Sequence, residues 1–394
     1  MPPETPKFFT LRTSLILSGF FLCVLFVYLF TDSRVVVVKS DEQNPLAKGV
    51  TTTLSTKKTS SSIAFTSSTI SSSTPLPMLL VPMTPVNPTA YDMKMLQIAN
   101  LPPPKITTST ATSTPSSTIV KKSLWPVTSA PYPTPGALLP FNRIVAYYGN
   151  LYSTQMGVLG KYPPPEMLAR LASATAEWAA ADLSTPVIPA LDYIAVVAQA
   201  GPGADGKYRA RMPFSELNKV VALAAQAKAI VILEIQVGLS DIQTELPLLE
   251  PYLKLPQVHV ALDPEFDMPN KEKPGTIIGT MSSDDINFAA RYLSKIVKEN
   301  NLPPKALIVH RFTRPMVTGY KNIEPLPEVQ IVIDMDGFGE PAKKIGTYTS
   351  IVVSEPVQFT GFKLFYKNDV AAGHLMTASE VLKLSPQPSF IQYQ

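Results

Sequence analysis

The residues in this chain best suited to chemistry are acidic. Asp263-Pro264-Glu265 sets two carboxyl groups two positions apart, about 6.6 Å between Cα atoms on an extended chain. Glu234 with Gln236, Asp334 with Asp336, and the lone His310 stand at the ends of other short apolar runs. Carboxyl groups that converge repel, so at least one holds its proton to a higher pH than usual. A protonated carboxyl beside an ionised one is what general acid–base catalysis requires. The candidate catalytic set is Glu265 as the acid, with Asp263, Glu234 or Asp334 as nucleophile, base or electrostatic support. Tyr148, Gln236, His310, Asp336, Lys363 and Tyr366 are the candidate substrate contacts. The plainer reading of the central pair is a loop hydrogen bond for Asp263 and an ion pair for Glu265.

Other chemistries have less behind them. No H-x-H or H-E-x-x-H pattern joins the three histidines, so no preassembled zinc site is expected. A carboxylate-rich Mg²⁺ or Ca²⁺ site built from Asp263, Glu265, Asp334 and Asp336 stays open as a third reading. Cys23 is the one cysteine, which excludes a disulfide framework and a cysteine-based zinc site. Gly201-Pro202-Gly203-Ala204-Asp205-Gly206 reads as a turn-rich loop after a second strand, not as the first turn of a dinucleotide site. No cofactor is expected.

Eight strands are expected to position these residues: 144–148, 187–190, 230–236, 258–263, 306–310, 330–334, 350–354 and 361–366. Helical periodicity covers 165–181, 214–229 and 283–300, with a weaker helix over 241–253 interrupted by Pro247 and Pro251. Alternating strands and helices of this number predict an α/β fold of the (β/α)8, TIM-barrel type over residues 141–394. Side chains alternate along a strand, so Leu233 and Ile235 oppose Glu234 and Gln236, and Val260 and Leu262 oppose Asp263 and Glu265. Ile331 and Ile333 likewise oppose Asp334 and Asp336, and Val309 opposes His310. The apolar sets then pack on outer helices and the polar sets point into the mouth, where barrel enzymes build their sites.

The first 140 residues differ in kind. Ser14 to Phe30 is an uncharged apolar run, about 25 Å long as a helix and slightly short of a bilayer core. It reads as a single transmembrane anchor within residues 1–34, with a cleaved signal peptide as the competing reading. Residues 35–140, rich in Ser, Thr and Pro, read as a disordered stalk. Both readings place the C-terminal domain outside the cytoplasm, with the membrane as a partner through the N-terminal helix.

Charge narrows the partners further. Residues 1–140 carry 11 basic and 5 acidic residues, while residues 141–394 carry 23 and 25. A nucleic-acid binder concentrates positive charge on its folded part, so no nucleic acid is expected. In His259-Val260-Ala261-Leu262-Asp263-Pro264-Glu265-Phe266 the chain resembles exported glycoside-hydrolase-like (β/α)8 proteins, which place a D-x-E at the end of the fourth strand. Two upstream acidic positions of the longer chitinase-like pattern are Val258 and Ala261 here. The resemblance implies carboxylate-catalysed hydrolysis of a carbohydrate or cell-wall polymer, with Glu265 as the acid and Asp263 positioning substrate or stabilising charge. Tyr147, Tyr148, Tyr152, Tyr162, Phe266, Phe338 and Tyr366 are candidate sugar-stacking faces. A non-catalytic module that binds glycan or a protein partner is the alternative.

Overall fold

The computed structural model describes residues 82–103 and 123–394. Eight parallel strands close into a barrel, β1 (Arg143–Gly149), β2 (Val187–Ala198), β3 (Ile230–Ile235), β4 (Val258–Leu262), β5 (Lys305–Arg311), β6 (Val329–Met335), β7 (Phe359–Leu364) and β8 (Phe390–Tyr393). Closure is direct, because β1 pairs in parallel with both β2 and β8. A short strand, Arg209–Arg211, adds antiparallel to the end of β2. Glu245, fully buried, accepts from Arg209, Arg211 and Ser240 and so ties that strand to the segment after β3.

The outer layer follows from sequence patterning. Helices α2 (Pro164–Ala181), α3 (Phe214–Gln226) and α4 (Ser283–Asn300) turn apolar faces onto the outward residues of the strands. Helix α4 starts in a reciprocal cap between Ser282 and Asp285, which satisfies amides that no helical carbonyl reaches. It then buries Ile286, Leu293, Ile296 and Val297, worth about 1.5–3 kcal/mol each. The segment 241–253 breaks into three short turns around its prolines, Ile242–Glu245, Leu246–Leu249 and Glu250–Leu253.

Two expected strands are not as the sequence suggested. Residues 350–353 lie in a wide helical turn, Tyr348–Val353, that continues α5 (Pro341–Thr347), and Ser354 ends it. The β-branched trio Ile351-Val352-Val353 fits either state over so short a run, and Tyr348 and Val352 bury one helical face, Tyr348 edge-on to Phe362. The run at 361–366 is therefore the seventh strand, and the eighth is Phe390–Tyr393, four residues just beyond Pro386 and Pro388.

Within the span read as stalk, helix α1 (Pro88–Ile98), capped by Asn87, is folded. Its Tyr91, Met95 and Ile98 join Leu138 and Leu139 in a cluster with the inward residues of the strand starts, Ile144, Ile230, Ala306, Phe359 and Phe390 among them. Gln330 holds this seal, accepting from the amides of Leu138 and Leu139 and donating to the Leu139 carbonyl. The amino-terminal end of the barrel is thus stoppered by chain that precedes it. The apolar run 14–30 lies outside the described residues. Among the described residues no helix is long and apolar enough to cross a membrane.

Truncating Met95, 5% exposed, to Ala should cost about 2–5 kcal/mol of unfolding free energy. The Met93→Ala change, at a position 42% exposed, should cost less than about 0.5 kcal/mol. Urea titration of the two variants checks whether α1 is part of the cooperative fold.

Candidate active site

Inward-facing residues change character along the barrel axis. Near the strand starts they are apolar, and toward the carboxyl ends they become Tyr148 on β1, Asp192 on β2, Glu234 on β3, His310 on β5, Asp334 on β6, Lys363 on β7 and Gln392 on β8. Gln236, Asp263, Glu265 and Asp336 lie just past their strand ends. The parity read from strands three to six is the parity observed: Leu233, Ile235, Val260, Leu262, Val309, Ile331 and Ile333 all belong to the outer core.

His310 lies at the centre, fully buried. Its Nδ1 is 3.1 Å from Asp334 Oδ2 and 3.4 Å from Asp336 Oδ2, and its Nε2 is 3.1 Å from Glu234 Oε2. The other Glu234 oxygen accepts from Tyr148 Oη at 2.9 Å and from Gln236 Nε2 at 2.8 Å. Gln236 reaches on toward Asp263 Oδ2 at 3.4 Å and accepts from the Ala198 amide at 3.0 Å. Lys363 stands 3.9 Å above the Tyr148 ring and 3.6 Å from Asp336. Gly361, in register with Asp334, leaves it room; a Cβ there would lie 2.4 Å from Asp334 Oδ1.

Burial alone would raise Glu234, but the hydrogen bond and charge of His310, joined by Lys363 and Tyr148, outweigh it and hold Glu234 below the usual carboxylate range. His310 is held well above its ordinary value, because its bonds to Asp334 and Glu234 outweigh burial. Asp263 goes the other way, pushed up to about 7 by burial and the Glu234 charge. Glu265 is raised well above the usual range by burial and by Asp263 and Asp336. One mouth therefore holds an ionised carboxylate and carboxylic acids together.

Asp263 and Glu265 divide the work. Glu234 and Asp334 lie inside the barrel with no exposed surface, whereas half-buried Glu265 lies on the rim in the short turn Pro264–Phe266. Asp263 caps that turn, its Oδ1 accepting from the Glu265 amide at 3.1 Å. The loop hydrogen bond expected on the plainer reading is present, and the other Asp263 oxygen still faces Gln236.

Of the ten candidate residues, Tyr366 alone lies off the mouth. It is three positions after inward-facing Lys363, so strand alternation turns it outward, where it stacks on Tyr393 at 5.1 Å and meets Tyr147 through their hydroxyls. Tyr147 leaves the set of sugar-stacking candidates with it. Asp369 also faces away, in a buried 2.7 Å pair with Lys344, and Glu355 is taken by Arg311 and Arg314. Of two further interior residues, Asp192 is a rim residue on the sequence pattern and Gln392 carries no signal there. Asp192 looked as if it followed a strand that in fact runs to Ala198, and Gln392 sits in the unrecognised eighth strand. Gln392 Nε2 donates to Asp192 Oδ2 at 2.6 Å.

No family model matches the chain, and no curated protein matches it. Among solved structures it is similar to the Plasmodium falciparum HPPK-DHPS wild type with pteroate, at a TM-score of 0.32 and 12% identity, over 67% of this chain and 47% of that one. The chain spans about half the length of that protein.

The raised Asp263 has a thermodynamic consequence. Between its unfolded value near 3.8 and its folded value of about 7, the native state binds more protons than the unfolded chain, so its contribution to stability is lost as pH rises through that window. Asp267, pushed to about 7 by burial and by Asp285 and Asp241, adds to the same slope. Replacing Asp263 with Asn should flatten the fall in melting temperature between about pH 4 and pH 7; an unchanged slope in a calorimetric pH series would refute the assignment.

Proposed function

We propose that the barrel is an exported, membrane-anchored hydrolase of glycosidic bonds that acts by carboxylate acid–base chemistry on a carbohydrate, cell-wall glycan included. The observation that carries this reading is Glu265, an acid kept protonated by burial and neighbouring carboxyls yet placed on the rim where a ligand can reach it. Glycoside hydrolysis needs such a proton donor at the scissile oxygen and a second carboxyl for the cation-like transition state. Asp263 and Asp336, both facing Glu265 electrostatically, are the groups placed to serve as that second carboxyl. Glu234 and His310 lie beneath and set the charge around Asp263. Tyr148, Gln236 and Lys363 shape the floor, each less than a tenth exposed. The D-x-E resemblance at Asp263 and Glu265 supports the same roles.

The sequence of events follows from these positions. Glu265 donates its proton to the leaving oxygen as the bond breaks, and Asp263, which titrates at about 7 and so is available ionised from neutral pH upward, meets the positive charge that develops on the sugar. Water then completes the reaction and returns the proton. Because the donor must be protonated, turnover falls as pH rises through the raised value of Glu265.

A second reading, a glycan-binding module without turnover, draws on how closed the mouth is: Asp263 is 3% exposed, and Tyr148, Ile194 and Val197 pack together beside it with Met156 and Met212. Release of reducing ends from cell-wall polysaccharides separates the two. Cleavage by the wild type should fall by about 10²–10⁴ in kcat for Glu265→Gln, with the alkaline limb of the pH profile removed. Retention of glycan with no new reducing ends would favour the binding module, and full turnover by Glu265→Gln would exclude Glu265 as the acid.

A further inference from the structure

Beneath the rim, three fully buried side chains from three strands converge. One ligand atom from each of Asp192, Glu234 and His310 lies within 4.8 Å of the other two. Asp263 stands two residues beyond Ala261, the register partner of Glu234, so this cluster is deeper in the barrel than the rim acids. A proton shared between His310 Nε2 and Glu234 Oε2 accounts for those two groups. It leaves the rest unexplained: Asp192 uses Oδ2 to accept from Gln392, while Asp192 Oδ1 and Gln392 Oε1 have no hydrogen-bond partner among the described residues. Both residues are 0% exposed. Leaving a buried polar atom unsatisfied costs about 1–3 kcal/mol, and an Asp192 with an unpartnered oxygen, clustered with Glu234 and His310, is placed to ligate a cation.

We propose that Asp192, Glu234 and His310 form a binding site for one divalent first-row transition-metal ion, zinc or manganese(II). The donor set decides the class. One imidazole nitrogen with two carboxylates suits such ions better than Mg²⁺ or Ca²⁺, which prefer all-oxygen sites. The second shell is already in place, because Asp334 Oδ2 lies 3.1 Å from His310 Nδ1. A carboxylate in that position fixes the tautomer that leaves Nε2 free to ligate. On binding, the ion takes the place of the proton between Nε2 and Glu234 and of any proton held on Asp192, and these protons leave to solvent. The ligands differ from the rim set Asp263, Glu265, Asp334 and Asp336, and the site does not depend on the glycosidase reading.

The test uses the full chain carrying His374→Ala. That change removes the exposed histidine paired with Glu380 and leaves His259, whose Nδ1 accepts from the Ala306 amide, as the only other imidazole. Metal-stripped protein is titrated calorimetrically with Zn²⁺ and, separately, with Mn²⁺. The expected result is one ion per chain, a higher melting temperature in its presence, and at least tenfold weaker binding for Asp192→Asn. Pulsed EPR of the Mn²⁺-loaded protein should show coupling to an imidazole nitrogen, a readout that needs no change at Asp192 should that variant fail to fold. Absence of stoichiometric binding, equal affinity in Asp192→Asn, or Mn²⁺ without nitrogen coupling overturns the site. Glycan cleavage is measured separately, so loss of one proposal leaves the other standing.

Discussion

Charge balance in a closed space governs this molecule. Six carboxyl groups, Asp192, Glu234, Asp263, Glu265, Asp334 and Asp336, share the upper barrel with two cationic groups, His310 and Lys363. An isolated buried charge costs several kcal/mol even after relaxation, so the carboxyls cannot all ionise. Glu234, which His310, Lys363 and Tyr148 all favour, stays charged, while Asp192, Asp263, Glu265 and Asp336 are all pushed above the usual carboxylate range by burial. The contrast between ionised Glu234 and protonated Glu265 is a consequence of that competition for two cations.

The scaffold makes the competition possible by being rigid around it. Strand alternation supplies inward positions from all eight strands, seven of which carry a polar side chain toward the mouth, and the outward positions pack against the apolar faces of the helices. Gly361 shows how tight the interior is, since its missing side chain is the space that Asp334 occupies. Arg209, Arg211 and Glu245 do similar work outside, holding the extension of β2 that carries the mouth wall. Away from the mouth, ionic groups are spent on one another, as in Lys344 with Asp369 and Glu355 with Arg311 and Arg314.

Much of this was legible in the chain itself, because parity is a property of adjacent residues. Glu234 opposite Leu233 and Ile235, or His310 opposite Val309, needs no tertiary knowledge to orient. What local pattern could not supply was which short β-branched run is a strand. Ile351-Val352-Val353 became helical because Tyr348 and Val352 had a core to reach, and Phe390–Tyr393 became a strand because β1 and β7 each offered it an edge. Misplacing those two elements hid Gln392, and ending β2 too early put Asp192 on the rim instead of inside the barrel. The same limit applied to α1, whose helical character depends on the barrel end it fills, and to Tyr366, whose direction follows from counting onward from Lys363.

The stopper at the strand starts has a further effect on the groups above it. With Tyr91, Met95, Leu138 and Leu139 filling one end, the barrel is a blind well and not a tunnel. Protons and small solutes can then exchange with bulk solvent only past the rim. A guest seated on the rim would therefore stand between the buried carboxyls and bulk solvent.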